Sequence, residues 1–194
     1  IIYRKLNKKS LDALCRGGAL DSLIDDRFTG SQHFWIACCQ DRPKNPKKLA
    51  ENIERYADAG DFSKDERVEF LTELTGIFPM NLVAPEEVQM SLAKYCVPPI
   101  SEFDSELGAC WGIPRNVNLR KSKNGKWFAV IDLIDSNSVL TKLRYWGVNK
   151  DTIRDQILLN EVYIIKPQYS DGWGFSTRGH VDKAWKRMTT NKEE

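Results

Sequence analysis

Histidine and paired cysteine are scarce in this sequence. His33 and His180 are the only histidines among 194 residues, and the five cysteines, at 15, 38, 39, 96 and 110, include no Cys-x-x-Cys pair. A zinc site needs clustered ligands and a disulfide framework an even set, so neither is expected to organise the fold. Adjacent Cys38 and Cys39 read as buried residues of an apolar helix, and unpaired thiols imply reducing, cytoplasmic surroundings. No apolar run approaches the roughly 20 residues that span a bilayer, so no membrane partner is expected. Carboxylates that could pair on a catalytic metal are also lacking: Asp132 and Asp135 read as the end of a strand. Cys15, Cys38 and His33 have no orienting partner for nucleophilic catalysis and read as core. The chain opens on Ile1 and a basic, polar stretch, which reads as a fragment without a signal peptide.

Charge is plentiful but unevenly placed. Residues 1–107 hold 14 Lys and Arg against 18 Asp and Glu, a net −4, whereas residues 108–190 hold 14 against 7, a net +7. A basic half of this kind raises the local density of phosphate-like partners, although solvated domains also carry such a bias.

Periodicity divides the chain in the same place. From residue 7 to about 76 apolar residues recur at helical spacing, as in Leu11, Leu14 and Cys15, or Leu49, Ile53, Tyr56 and Ala57. Four short helices are expected, interrupted at Gly17-Gly18, Asp41–Pro46 and Gly60–Ser63. Prolines at 79, 85, 98 and 99 make residues 77–107 a connector with one helix, from Pro85 to Tyr95. Beyond it alternation takes over. Strands are expected at 111–119, 127–134, 139–146, 161–167 and 174–181, with an Asn124-Gly125 type I′ turn in the first hairpin and a helix over 149–159 capped near Asn149 or Asp151. The predicted fold class is α+β: a small helical region (1–76), a connector (77–107) and a five-stranded OB-fold barrel (108–190), whose β-β-β-α-β-β order is that of the OB fold.

An OB barrel binds oligonucleotides across its second and third strands, between the loops joining strands one to two and four to five. Lys121, Lys123 and Lys126 crowd the first of these loops, Lys142 and Arg144 share a face of the third strand with Trp146, and Tyr169, Trp173 and Phe175 occupy the region of the last. Cations interleaved with aromatics suit a nucleic-acid backbone and its bases. Trp127 and Phe128 read as filling the barrel or its contact with the helical half. Near the start, residues 11–23 read as a helix, a two-glycine break and a second helix. Outward amides at Gly17 and Gly18 can hold a phosphate, with Lys8, Lys9 and Arg16 adding charge; a glycine C-cap is the plainer alternative, and both stay open.

Taken in order, four segments resemble the C-terminal part of the bacterial and phage replicative DNA polymerase III alpha subunit. They are NKKSLDALCRGGALDSL followed by Asp26-Arg27, ERVEFLTELTGIFP (66–79), SLAKYCVPPISEFD (91–104) and GACWGIPRNVNLRKSKNGKWFAVIDLID (108–135). The first is similar to that family's helix-hairpin-helix, with Arg27 opening the following helix, and the last to its opening OB strands. The resemblance implies a DNA-binding part of a DNA-directed DNA polymerase, a nucleotidyltransferase whose catalytic carboxylates and Mg2+ lie in a preceding palm. No cofactor is then expected in this segment. Gly17, Gly18, Ala19 and Arg27 become duplex-backbone candidates, and Lys121, Lys123, Lys126, Lys142, Arg144 and Trp173 candidates for single-stranded template. The implied partners are primer-template and single-stranded DNA, the rest of the polymerase and a sliding clamp, for whose peptide Gln89-Met90-Ser91-Leu92 is the nearest counterpart. An alternative from another class is a replisome protein-interaction module using the OB face. An RNA-reading OB domain leaves residues 5–29 unexplained.

Overall fold

A computed structural model describes residues 6–178 and the backbone of Trp185–Arg187. The fold is mixed α and β, and the chain divides into two compact units, residues 1–79 and 80–194. The division leaves most of the expected connector, 80–107, in the second unit.

The first unit is helical. Asn7 caps α1 (Lys8–Arg16) by accepting from the Ser10 amide at 2.7 Å, and the helix buries Leu11 and Cys15. It ends at Gly17, with Gly18 in the left-handed region at φ 77°. The expected second helix is a single 3₁₀ turn, Asp21–Leu23. α2 (Ser31–Trp35) runs into a π turn, Ile36–Gln40, which places Ala37, Cys38 and Cys39 all in the core. There the Asp41 amide donates to the Ile36 carbonyl instead of to that of Ala37, and the buried Asn52 side chain supplies the missing donor, 3.0 Å from the Ala37 oxygen and 2.7 Å from that of Asp41. Asn52 lies on α3 (Pro46–Arg55), started by the Asn45 cap and a proline in its first turn. α4 (Lys64–Thr75) opens with a Ser63–Glu66 capping box and closes on left-handed Gly76. His33, fully buried, accepts from the Thr29 amide through Nδ1 and faces the Ile53 carbonyl through Nε2, so it is the core histidine expected.

Two carboxylates in this unit carry a pH dependence. The Ser31 amide, and then its hydroxyl, hold Asp61 below the ordinary aspartate value, and the Ser63 hydroxyl, and then its amide, do the same for Glu66. A depressed carboxylate adds stability above its unfolded value, about 3.9 for Asp and 4.3 for Glu, and loses it as pH falls through the folded value. The urea midpoint of this unit should therefore drop on acidification below about pH 4. Asp61→Asn should lower the midpoint at neutral pH while converging with the wild type in acid; parallel curves would contradict this account.

The second unit begins with α5 (Met80–Val83) and α6 (Glu86–Lys94) and continues into one sheet. β1 (Cys110–Lys121) pairs antiparallel with β2 (Trp127–Ile134), and β2 with β3 (Leu140–Trp146). β1 also pairs through Cys110–Gly112 with β4 (Tyr163–Ile165). Arg115 is an extra residue between Pro114 and Asn116, a bulge that bends the strand between these two pairings. β3 pairs parallel with β6 (Gly174–Arg178), and β6 antiparallel with β5 (Gln168–Ser170). β7 (Trp185–Arg187) flanks β4. Val117, Ala129, Ile131, Leu133, Leu143, Tyr145, Tyr163 and Ile165 share one side of the sheet and form the core with Ile153 and Ile157.

Several expectations are corrected. The 149–159 helix shrinks to α7 (Ile153–Gln156): only Ile153 and Ile157 are buried, Leu158 and Leu159 are exposed, and Asn160 turns at φ 57° to donate its amide to Pro114. Pro167, lacking an N–H, splits the expected 161–167 strand from β5. In the first hairpin Gly125 alone has positive φ (76°), and its amide bonds Ser122, so a turn over 122–125 followed by a left-handed glycine replaces the type I′ turn. The last three residues of the 174–181 strand lie outside the described residues.

Candidate functional site

The Gly17-Gly18 break is a helix end whose amides are already engaged. The Gly17, Gly18 and Ala19 amides donate to the carbonyls of Ala13, Cys15 and Leu14, at 2.9, 3.1 and 2.9 Å. These are helix C-cap bonds, so the donors of the expected phosphate grip are engaged, and no second α-helix stands behind them. Arg16 pairs with Glu73 at 3.0 Å and Asp12 at 3.6 Å and lies 3.9 Å above the Phe70 ring. Arg27 does not open a helix; it sits in the turn before α2 and forks onto the Asp25 carboxylate, which raises the Arg27 pKa as Arg27 lowers that of Asp25. Lys8 and Lys9 remain as exposed cations on the first turn of α1.

Cys15, Cys38, Cys39 and Cys110 are buried, and Cys96 is exposed. Cys15 and Cys39 are buried 3.0 Å apart, and their hydrogen bond lowers the pKa of the first and raises that of the second. Burial pushes Cys38 up to about 11 and Cys110 up to about 12. Among the described residues no group of three or more His, Cys, Asp or Glu side chains is placed to hold a metal ion. Asp135, fully buried, accepts from the Ser101 and Asn137 amides and so latches a turn, while Asp132 lies on the opposite side of β2. No helix among the described residues is long and apolar enough to cross a membrane.

The second unit gathers cations and aromatics on the outer side of its sheet. Ala129, Ile131 and Leu133 point inward, so Phe128, Val130 and Asp132 point outward, and the register carries this side across four strands. One row reads Arg120, Phe128, Trp146, Arg178, from β1 through β2 and β3 to β6. Phe128 and Trp146 stack with centroids 4.5 Å apart and planes 24° apart, flanked on each side by an arginine. The next row reads Asn118, Val130, Arg144, Ser176, and the third places Lys142 opposite Asp132. At strand spacings of about 4.8 Å, the first row spans about 14 Å.

The flanking loops lie at opposite ends of the sheet. Lys121, Lys123 and Lys126 are exposed on the β1–β2 hairpin, with the Lys121 ammonium 5.9 Å from the Trp127 ring. At the β5–β6 turn, Arg144 donates to the Trp173 carbonyl and its guanidinium lies 5.9 Å from the Trp173 ring, which is 68% exposed. Gly125, Trp127, Trp146, Val148 and Arg178 border an open cleft of about 620 Å³ at the end of the sheet. The structure thus brings Arg144 and Trp173 together and puts Lys142 on the same side of β3, with the hairpin lysines at the other end of the sheet. Of the two roles expected of Phe128 and Trp127, filling the barrel is set aside: Phe128 is half-buried on the outer face and Trp127 is 38% exposed. Arg120, Phe128 and Arg178 also lie on this face and are not among the candidates expected from the sequence. Strand parity carries the signal for one of them, since Phe128 is one residue before the inward triplet.

The clamp-peptide counterpart is helical within α6. Gln89 donates to the Ala84 carbonyl and Leu92 is 1% exposed, leaving Met90 as its exposed apolar side chain.

No protein-family model matches the chain, and no curated protein matches it.

Proposed function

We propose that this chain is a single-strand-binding segment of a replicative DNA polymerase of the polymerase III alpha type, with the strand held across β2 and β3 and catalysis supplied by the rest of the polymerase. The observation that carries the binding reading is the row of a stacked Phe128–Trp146 pair between Arg120 and Arg178, bordered by three exposed lysines. Aromatic faces accept any base and cations neutralise the backbone, which is single-strand chemistry rather than duplex reading. The OB reading of the sheet is supported by its connectivity. β4 pairs with β1, the chain passes through Lys166-Pro167 into β5, and β5 pairs with β6, so one run of chain joins the two sides of the sheet. The bent first strand and the parallel β3–β6 pair suit a closed five-stranded barrel. The polymerase assignment itself rests on the sequence resemblance.

Fluorescence anisotropy with oligo-dT, duplex and primer-template DNA at two salt concentrations tests this reading. Salt-sensitive binding that favours oligo-dT or the single-stranded arm of primer-template is expected. Replacing Lys121, Lys123 and Lys126 together with alanine should weaken binding and flatten the log–log salt slope by roughly 0.7 for each phosphate no longer neutralised. An unchanged slope removes the hairpin from the interface, and absence of binding at low salt transfers the face to a protein partner.

A further inference from the structure

The same unit carries a groove of opposite character. One stripe of α6, namely Glu86, Gln89, Met90 and Ala93, faces an extended wall at Val97–Pro99, with Leu107 and Glu102 at the far rim, enclosing about 560 Å³. Met90 is 65% exposed on a helix whose other side, Val88 and Leu92, is buried, and Leu107, in the loop before β1, is 51% exposed. The spacing 86, 89, 90, 93 is one helical face about two turns long.

The surrounding charge selects among occupants. Residues 80–107 carry Glu86, Glu87, Glu102, Asp104 and Glu106 against Lys94 alone. A polyanion is repelled here, and a cationic partner attracted. Backbone geometry narrows the mode. Pro98 and Pro99 offer no N–H, and the Pro98 carbonyl already accepts from the Trp111 amide at 2.9 Å, so an added strand would find few backbone partners on this wall. Recognition must then come from side chains entering the groove, and Met90 is a thioether that repacks readily around an apolar anchor.

We propose that this groove docks an amphipathic, basic helix of a partner protein, which places apolar anchors one turn apart against Met90 and Leu107 and positive side chains against Glu86 and Glu102. The unit then presents two interfaces of opposite charge: the sheet for nucleic acid and the α6 groove for a cationic polypeptide.

The test uses the full chain and two fluorescein-labelled peptides of about four helical turns, identical in their leucine pattern, one with lysine and one with glutamate at the polar positions. The Leu/Lys peptide should bind, and Met90→Asp should weaken it about tenfold or more. Glu86→Lys should weaken the Leu/Lys peptide and strengthen the Leu/Glu peptide, with helix content checked by circular dichroism. Oligo-dT affinity should stay unchanged in both variants, so failure of the groove and failure of the sheet interface are separable. Equal binding of the two peptides, no binding of the Leu/Lys peptide, or indifference to Met90→Asp would each overturn the proposal.

Discussion

Trp146→Ala is expected to weaken oligo-dT binding by a factor between about five and a hundred, the equivalent of about 1 to 3 kcal/mol for one lost base stack. Trp146 lies at the centre of the Arg120–Phe128–Trp146–Arg178 row and borders the cleft beside the lysine hairpin, so it is the side chain most favourably placed to receive a base. Its removal should leave the salt slope intact, because an indole neutralises no phosphate; the lysine triple variant should do the reverse, flattening the slope. That pair of signatures separates stacking from charge in a way that loss of affinity alone cannot. The fold should survive: Trp146 stands on the outer side of β3, while the core residues of that strand are Leu143 and Tyr145. The stability lost is the cross-strand aromatic pair, about 0.5 to 1.5 kcal/mol. Wild-type affinity in Trp146→Ala and in Phe128→Ala would remove the sheet face from the binding site.

Legibility follows the physics of each segment. β2 matches its expected limits because Ala129, Ile131 and Leu133 alternate with outward residues between a glycine turn and an aspartate that turns the chain. Alternation says which residues share a face but not which face is sealed, and residue type then misleads: large aromatics suggest the inward side, whereas the inward side of the sheet is lined mainly by Ile, Leu, Val and Tyr. The basic hairpin is visible as charge, and Arg120 and Arg178 are not, because their place beside the aromatic pair exists only once four strands are in register. In the first unit, helix spacing is legible around Leu11 and Cys15, but the π turn at Ile36–Gln40 obeys no 3.6-residue period, and its stabilising side chain, Asn52, is 15 residues from Ala37. The 149–159 segment departs from its expected helix for a further reason. Its apolar residues Ile153 and Ile157 are spaced for a helix, yet Asn149 and Asn160 bond backbone at either end and hold the chain to a single turn.

Gly30→Ala should be the most damaging single methyl in the first unit, costing about 3 kcal/mol, at or beyond the upper end of ordinary overpacking. The reason is not conformational: at φ 167° the backbone is extended and open to any residue. It is space. A Cβ at this position would lie 2.5 Å from the carbonyl carbon and oxygen of Gly60 and 2.6 Å from the Asp61 nitrogen, all backbone atoms that no rotamer change can move. Relief requires the 60–61 segment to withdraw from the start of α2, which strains the His33 amide bond to the Gly60 carbonyl and both Ser31 bonds to Asp61. Gly60→Ala is the matched control. Gly60 has no atom within 4 Å of a built Cβ, but its φ of 65° and ψ of −140° lie in a region almost confined to glycine, so its cost is purely conformational, about 1 to 3 kcal/mol. Urea unfolding of both variants, with amide exchange at Ser31 and His33 reporting the local change, decides between the two origins. If Gly60→Ala proves the more costly, conformation rather than close approach holds this crossing together.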